Sequence, residues 1–310
     1  MKGIPIKLNI LFLVAVISLT FLTACSQPES AGTSPLEITD QLGRTVVVEE
    51  TPQTIVSLAP SNTEILFALG LGDRVVAVTD FCNYPPEVEE EPTVGGFSNP
   101  NIEEIVALSP DLVLATSMHE GEIIPQLEEY GVTVFALNPM TIDEVVEAIT
   151  MVGEVTGTED EAADLLSDMQ KRIKAVTDKM SGLSAGEKPR VLYAVWHDPV
   201  MTAGAGTLHD ELMTLAGGDN IAHDLAGFDT ISLEVVITAN PQVMIAGVGM
   251  GTGEDMPLQF VSTEPRLSDT DARKNDRVYA INVDLVGRPG PRIVEALEQF
   301  AVFLHPEIFG

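Results

Sequence analysis

The chain has 310 residues, of which 47 are Asp or Glu and 16 are Lys or Arg, for a formal net charge of −31. So acidic a balance argues against direct binding to nucleic acid or to an anionic lipid surface, since both are polyanions. The length excludes a single small domain and suffices for two lobes of ordinary size, and a count of 2 cysteines excludes a disulfide-dense scaffold.

Lys2 and Lys7 precede an apolar run over residues 10–21, which closes on Leu22-Thr23-Ala24-Cys25. Basic, apolar and small residues in that order describe a secretory signal peptide ending in a lipobox. The run falls short of the ~20 apolar residues that a bilayer span needs. It therefore predicts a cleaved segment over residues 1–24 and a lipidated Cys25 at the mature N-terminus. Several acyl chains on one cysteine anchor a protein stably where a single chain does not. The polar, small and proline-containing residues that follow predict a flexible tether over residues 25–36. With Cys25 lipidated, Cys82 is the one thiol left, so no intramolecular disulfide is expected. Cys82 reads as a small buried side chain, with contact to a metal-bearing ligand as the alternative.

From about Glu37 onward, short apolar runs at 55–58, 75–78, 112–115 and 132–136 predict strands alternating with helices, and hence a mainly parallel sheet. Ser61 and Glu64 have the spacing of a capping box at the start of a helix that ends near Gly70 and Gly72, and Asn101 and Glu104 repeat it. Ala162, Leu165, Leu166, Met169, Ile173, Val176 and Met180 fall on one helical stripe, which predicts a single long helix over about 159–183. At 1.5 Å per residue it extends for more than about 30 Å, enough to connect two lobes and to restrict their motion to small hinge or twist movements. Beyond Gly182 and Gly186 the alternation resumes, with strands expected at 191–195, 243–246 and 278–281 and a last helix over 291–304. These limits give an N-terminal lobe over 37–157, a linking helix over 158–184 and a C-terminal lobe over 185–310.

An internal repeat supports that division. Residues 101–115 align without a gap on 232–246, setting Glu103 beside Glu234 and Pro110 beside Pro241, and residues 63–73 align in the same order on 209–219. Two related α/β lobes around a cleft are the expected arrangement.

The lipobox, the paired lobes, the long helix and the stretches Ser57-Leu58-Ala59-Pro60-Ser61-Asn62-Thr63-Glu64 and Asn101-Ile102-Glu103-Glu104-Ile105 together resemble the periplasmic binding proteins of vitamin B12, haem and ferric-siderophore ABC importers. The resemblance covers about 37–310. Asp80-Phe81-Cys82-Asn83-Tyr84-Pro85-Pro86-Glu87 followed by Val94-Gly95-Gly96-Phe97 is most similar to the cobalamin-binding branch. It implies two Rossmann-like lobes with mainly parallel central sheets joined by one long α-helix, and a ligand cleft between them. It further implies a lipid-anchored protein on the outer face of the cytoplasmic membrane, which binds cobalamin or a related corrinoid and passes it to a permease dimer with cytoplasmic ATPase subunits. A ferric siderophore is the alternative ligand, and haem a weaker one, because haem importers of the family place a tyrosine near the position of Gly96 and Phe97.

By the same resemblance, Phe81, Phe97, Phe228 and Asp284 match residues lining the cobalamin cleft, and Glu103 and Glu234 match the carboxylates that dock on permease arginines. Each has a second reading: a phenylalanine serves a core, a first-turn glutamate serves the helix dipole, and Asp284 suits a solvated loop. Family members can carry tryptophan where Phe97 and Phe228 stand, and phenylalanine cannot donate an N–H bond. Trp196, the single tryptophan, follows a strand and is expected either at the cleft or as a buried anchor. His119, His197 and His223 lack metal-ligand spacing and read as surface or core histidines, so neither a resident metal nor a cofactor is expected. Gly247, Gly249, Gly251 and Gly253 follow a strand, yet Thr252 occupies the third glycine position of a dinucleotide fingerprint. No P-loop and no nucleophile elbow occurs, and the chain is expected not to be an enzyme.

Overall fold

The computed structural model describes residues 35–249 and 255–310. The expected signal segment, Cys25, the tether up to residue 34 and Gly251, Thr252 and Gly253 of the glycine loop lie outside the described residues. Among the described residues no helix is long and apolar enough to cross a membrane.

The described chain opens with an antiparallel hairpin of β1 (Leu36–Thr39) and β2 (Thr45–Val48). Its four-residue strands escaped the sequence reading. The first lobe is built on β3 (Ile55–Ser57), β4 (Val75–Ala77), β5 (Leu112–Thr116) and β6 (Val134–Leu137). They form an all-parallel sheet in the order β4-β3-β5-β6. The second lobe holds β7 (Arg190–His197), β8 (Val200–Ala203), β9 (Asp219–Asn220), β10 (Phe228–Thr230), β11 (Val243–Val248) and β12 (Val278–Asn282). Their order is β10-β8-β7-β11-β12, with β9 beside β7. Strands β9, β7, β11 and β12 run parallel, while β7 pairs antiparallel with β8 and β8 with β10.

Strand periodicity sends alternate residues to opposite faces, and the inner parallel strands β3, β5 and β11 are buried on both faces, as strands of parallel sheets are. Val56, Val113, Val134 and Ala136 pack on the outer face of the first sheet, and Leu192, Ala194, Met244 and Ala246 on that of the second. The alternate residues, Ile55, Leu112, Leu114 and Phe135 in one lobe and Val191, Tyr193, Val243 and Ile245 in the other, join one continuous core. The linking helix, Glu159–Met180, adds Ala162, Met169, Val176 and Met180 to that same core. It packs on helix Ile142–Thr156 of the first lobe and helix Ile293–Leu304 of the second. Arg172 holds the second contact through two bonds to Glu298, of 2.9 and 2.7 Å. Glu159, Asp160 and Glu161 in its first turn and Lys179 in its last suit the helix dipole.

The internal repeat is a structural one. Helices Ile102–Leu108 and Leu233–Ala239 both have 7 residues, are capped by Asn101 and Ser232, and end on left-handed residues, Ser109 at φ 51° and Asn240 at φ 48°. Pro110 and Pro241 follow, and the chain then enters β5 and β11, inner strands of their sheets.

Two expected capping boxes differ. At Asn101 the side chain accepts from the Glu103 and Glu104 N–H groups, with no return bond from the Glu104 carboxylate. Helix Pro60–Ala68 starts one residue before the expected cap, and its N-cap residue, Ala59, makes no side-chain cap bond. Pro60 in the first turn needs no N–H partner there, so the Ser61–Glu64 box is not formed. Glu64 turns away from the helix start and binds arginines of the other lobe.

Gly153 marks the closest approach of the linking helix to the first lobe: an added Cβ would lie 2.8 Å from Ala162 Cβ and 3.3 Å from the Thr158 carbonyl oxygen. Overpacking of this kind costs about 1–3 kcal/mol, against roughly 1 kcal/mol gained from alanine in a helix. Gly153→Ala is expected to lower Tm by about 2–4 °C in a thermal melt followed by circular dichroism; a raised Tm would mean that the helix pair has slack at this crossing.

Candidate functional site

A cavity of about 620 Å³ opens between the two sheets. Its first wall is made where β3, β5 and β6 end, by Ala59, Pro60 and Ser61, by Thr116, Ser117 and Met118, and by Leu137, Asn138, Pro139 and Met140. Phe81 and Phe97, from loops after β4, complete it. The opposite wall consists of Thr207, Leu208 and His209 at a helix start, Phe228 on β10, and the segment after β12 from Val283 to Pro289. Carboxyl ends of parallel strands converge on such crevices in open α/β sheets, because each chain leaves its sheet there as a short loop.

Large apolar side chains rarely stand exposed together without a partner. Here Phe81, Met118, Met140 and Phe228 are 61, 60, 48 and 49% exposed, and all four line this cavity. The charged groups of the lining are Asp284 and Arg288, paired at 2.9 Å. The crevice is thus apolar and locally neutral in a strongly acidic chain.

Phe97 is held from behind. His119, fully buried, lies edge-on to it at 5.4 Å between ring centres. Thr116 N–H donates to His119 Nδ1 at 3.0 Å, so Nε2 carries the proton and donates to the Phe97 carbonyl at 2.7 Å. Burial lowers the His119 pKa, and with both nitrogens engaged the ring is a support. Phe228 has a similar support in His209, edge-on at 5.3 Å, and Tyr193 is also edge-on to His209, at 4.6 Å. His209 is buried with no hydrogen-bond partner for Nδ1, and burial pushes its pKa down to about 4.

The structure therefore brings Phe81, Phe97, Phe228 and Asp284 to one crevice. Trp196 is not in the lining. It stands half-buried on β7 against His197, and β7 turns back directly into β8 instead of ending at the crevice. Glu103 and Glu234 lie in the first turns of their matched helices, both exposed. Cys82 is half-buried, with Sγ 3.1 Å from Thr63 Oγ1 and 3.3 Å from Thr79 Oγ1, and packs against the core. His223 is exposed and its pKa is raised by a hydrogen bond to Asp210. No group of three metal-ligating side chains occurs among the described residues.

Sequence reasoning missed Met118, Met140 and His209. For His209 a signal existed: extending the second repeat by two residues aligns Ser61 on Thr207, and both helix starts line the crevice. The methionines stand in loops after β5 and β6 that the repeat does not reach.

Because folded His209 resists a proton that the unfolded chain accepts near pH 6.5, its contribution is constant above that pH and stability falls towards about pH 4. At about 1.4 kcal/mol per pH unit the loss over this window is on the order of 3 kcal/mol. In denaturant titrations from pH 7.5 to 4, His209→Gln is expected to lose correspondingly less stability than the parent; equal slopes would show that His209 is protonated in the folded protein.

Comparison with known proteins agrees with this geometry. Residues 55–285 match the family described as "Periplasmic binding protein". An uncharacterized ABC transporter substrate-binding lipoprotein of Bacillus subtilis, YvrC, is 36% identical over 89% of this chain and 87% of its own length. A cobalamin-binding protein of Halobacterium salinarum is 31% identical over 87% of this chain and 74% of its own. The solved periplasmic heme-binding protein RhuT of Roseiflexus superposes with a TM-score of 0.71 at 27% identity, over 82% of this chain and 98% of that one. With two sheets around an apolar crevice and a family match over most of its length, this chain belongs to the periplasmic binding proteins.

Proposed function

We propose that the protein is a lipid-anchored, extracytoplasmic substrate-binding protein of an ABC importer, which takes cobalamin or a related corrinoid and hands it to the membrane permease. The observation that carries this reading is the crevice itself: exposed aromatic and thioether side chains on facing walls, with its one carboxylate and one guanidinium neutralising each other. A corrin is a broad, mostly apolar disc fringed by amides, and needs such faces together with a few polar groups, here Ser61, Ser117, Asn138 and Asp284. An anionic siderophore is selected by uncommitted cations, and Arg288, the guanidinium of the lining, already has protein partners. For haem, the lining contains no tyrosine. The 31% identity to a cobalamin-binding protein points the same way.

In this reading Glu103 and Glu234 are the docking contacts for the permease, on helices alike in length, capping and exposure. Cys25 carries the lipid, and ATP is hydrolysed by other subunits.

Calorimetric titration of the chain begun after Cys25 with cyanocobalamin, cobinamide, haemin and a ferric siderophore is expected to give saturable one-to-one binding for the corrinoids alone. Phe97→Ala and Phe228→Ala are each expected to weaken it by about 1–3 kcal/mol, the range for loss of stacking on one aromatic face. A siderophore or haemin signal without corrinoid binding would refute the ligand. Charge reversal of Glu103 and Glu234 together is expected to abolish corrinoid uptake by cells while leaving calorimetric binding intact; unaltered uptake would refute the docking role.

A further inference from the structure

Arg288 stands in the crevice wall with 12% of its side chain exposed, and its guanidinium reaches into the other lobe. Nη1 donates to Asn83 Oδ1 at 2.7 Å and lies 3.4 Å from Glu64 Oε1; Nη2 donates to the Phe81 carbonyl at 3.2 Å and lies 2.9 Å from Asp284 Oδ1. Phe81, Asn83 and Glu64 belong to the first lobe, Asp284 and Arg288 to the second. Glu64, 2% exposed, is also gripped by Arg292, whose Nε donates to it at 2.9 Å and whose guanidinium lies 3.7 Å over the Tyr84 ring. Arg292 is not part of the crevice lining, so the two arginines share a carboxylate but differ in what else they hold.

We propose that Arg288 is a positioning residue of the binding site: by bonding Phe81, Asn83 and Glu64 across the crevice while pairing with Asp284, it sets the crevice width and presents Phe81 and Asp284 to the ligand together. Only a planar fork with donors on two nitrogens satisfies a backbone carbonyl, an amide oxygen and two carboxylates at once; an ammonium is a point charge. Separating the lobes would strip a buried carboxylate of its counter-charges, which the interior strongly resists. The part of this concerning ligand rests on the corrinoid reading above, and the part concerning width does not.

The test compares Arg288→Lys, Arg288→Ala and Arg292→Lys by cyanocobalamin titration, thermal melting and small-angle scattering of the ligand-free chain. Arg288→Lys is expected to keep a Tm within about 2 °C of the parent and to lose corrinoid affinity at least tenfold. Arg292→Lys is expected to do the reverse, with a lower Tm and affinity within twofold. Arg288→Ala is expected to add a wider population to the scattering profile. Parental affinity in Arg288→Lys, an equal affinity loss in Arg292→Lys, or superimposable scattering of Arg288→Ala and the parent would each overturn the proposal. Should the parent bind no corrinoid, the ligand reading falls, and the scattering comparison still decides whether Arg288 sets the width.

Discussion

A carboxylate buried to 2% exposure is costly without hydrogen-bonding partners, and Glu64 finds both of its arginine partners in the other lobe. The crevice depends on that requirement. Glu64 sits on the first helix after β3, beside the residues that form one wall, while Arg288 lies in the segment that forms the other and Arg292 follows it. Meeting the needs of one carboxylate thus brings both walls to a common separation. The Arg288 bond to the Phe81 carbonyl fixes the backbone at Phe81 as a by-product.

The linking helix supplies the second constraint. Its apolar stripe enters the core that both sheets share, so the lobes do not have separate interiors on that side. Bending the helix would break i→i−4 bonds, and sliding it would expose Met169 or Val176 or crowd Gly153. The lobes are therefore restrained behind by packing and near the crevice by charge.

Between these restraints lies a surface that folding leaves unsatisfied. Phe81, Met118, Met140 and Phe228 expose apolar area towards a space that no part of the described chain fills. Histidines kept neutral by burial back two of the aromatic rings, so the crevice gains supports without gaining charge. A protein whose surface is dominated by carboxylates thereby keeps a neutral, apolar crevice.

Much of this was legible in the sequence because it follows from local periodicity. The strand runs, the 3.6-residue stripe of the linking helix and the gapless repeat depend on neighbours in the chain, and Glu103 and Glu234 were paired because a repeat is a comparison of the chain with itself. The resemblance to a family led to Phe81, Phe97, Phe228 and Asp284. What the sequence did not reveal is long-range. The spacing of Ser61 and Glu64 fits a cap, but the carboxylate is claimed by arginines 224 and 228 residues away. Trp196 follows a strand as expected, yet the return of the chain into β8 keeps it from the crevice. His209 reads as one polar residue in a helix until Tyr193 and Phe228 enclose it. Sequence by itself determined the parallel strands, the long helix and their pairing into two similar lobes, since those rest on short-range sterics and the burial of periodic faces. Only the tertiary structure decided which side chains share the crevice and which charges cancel, because burial and Coulomb attraction act between residues that proximity in the chain does not relate.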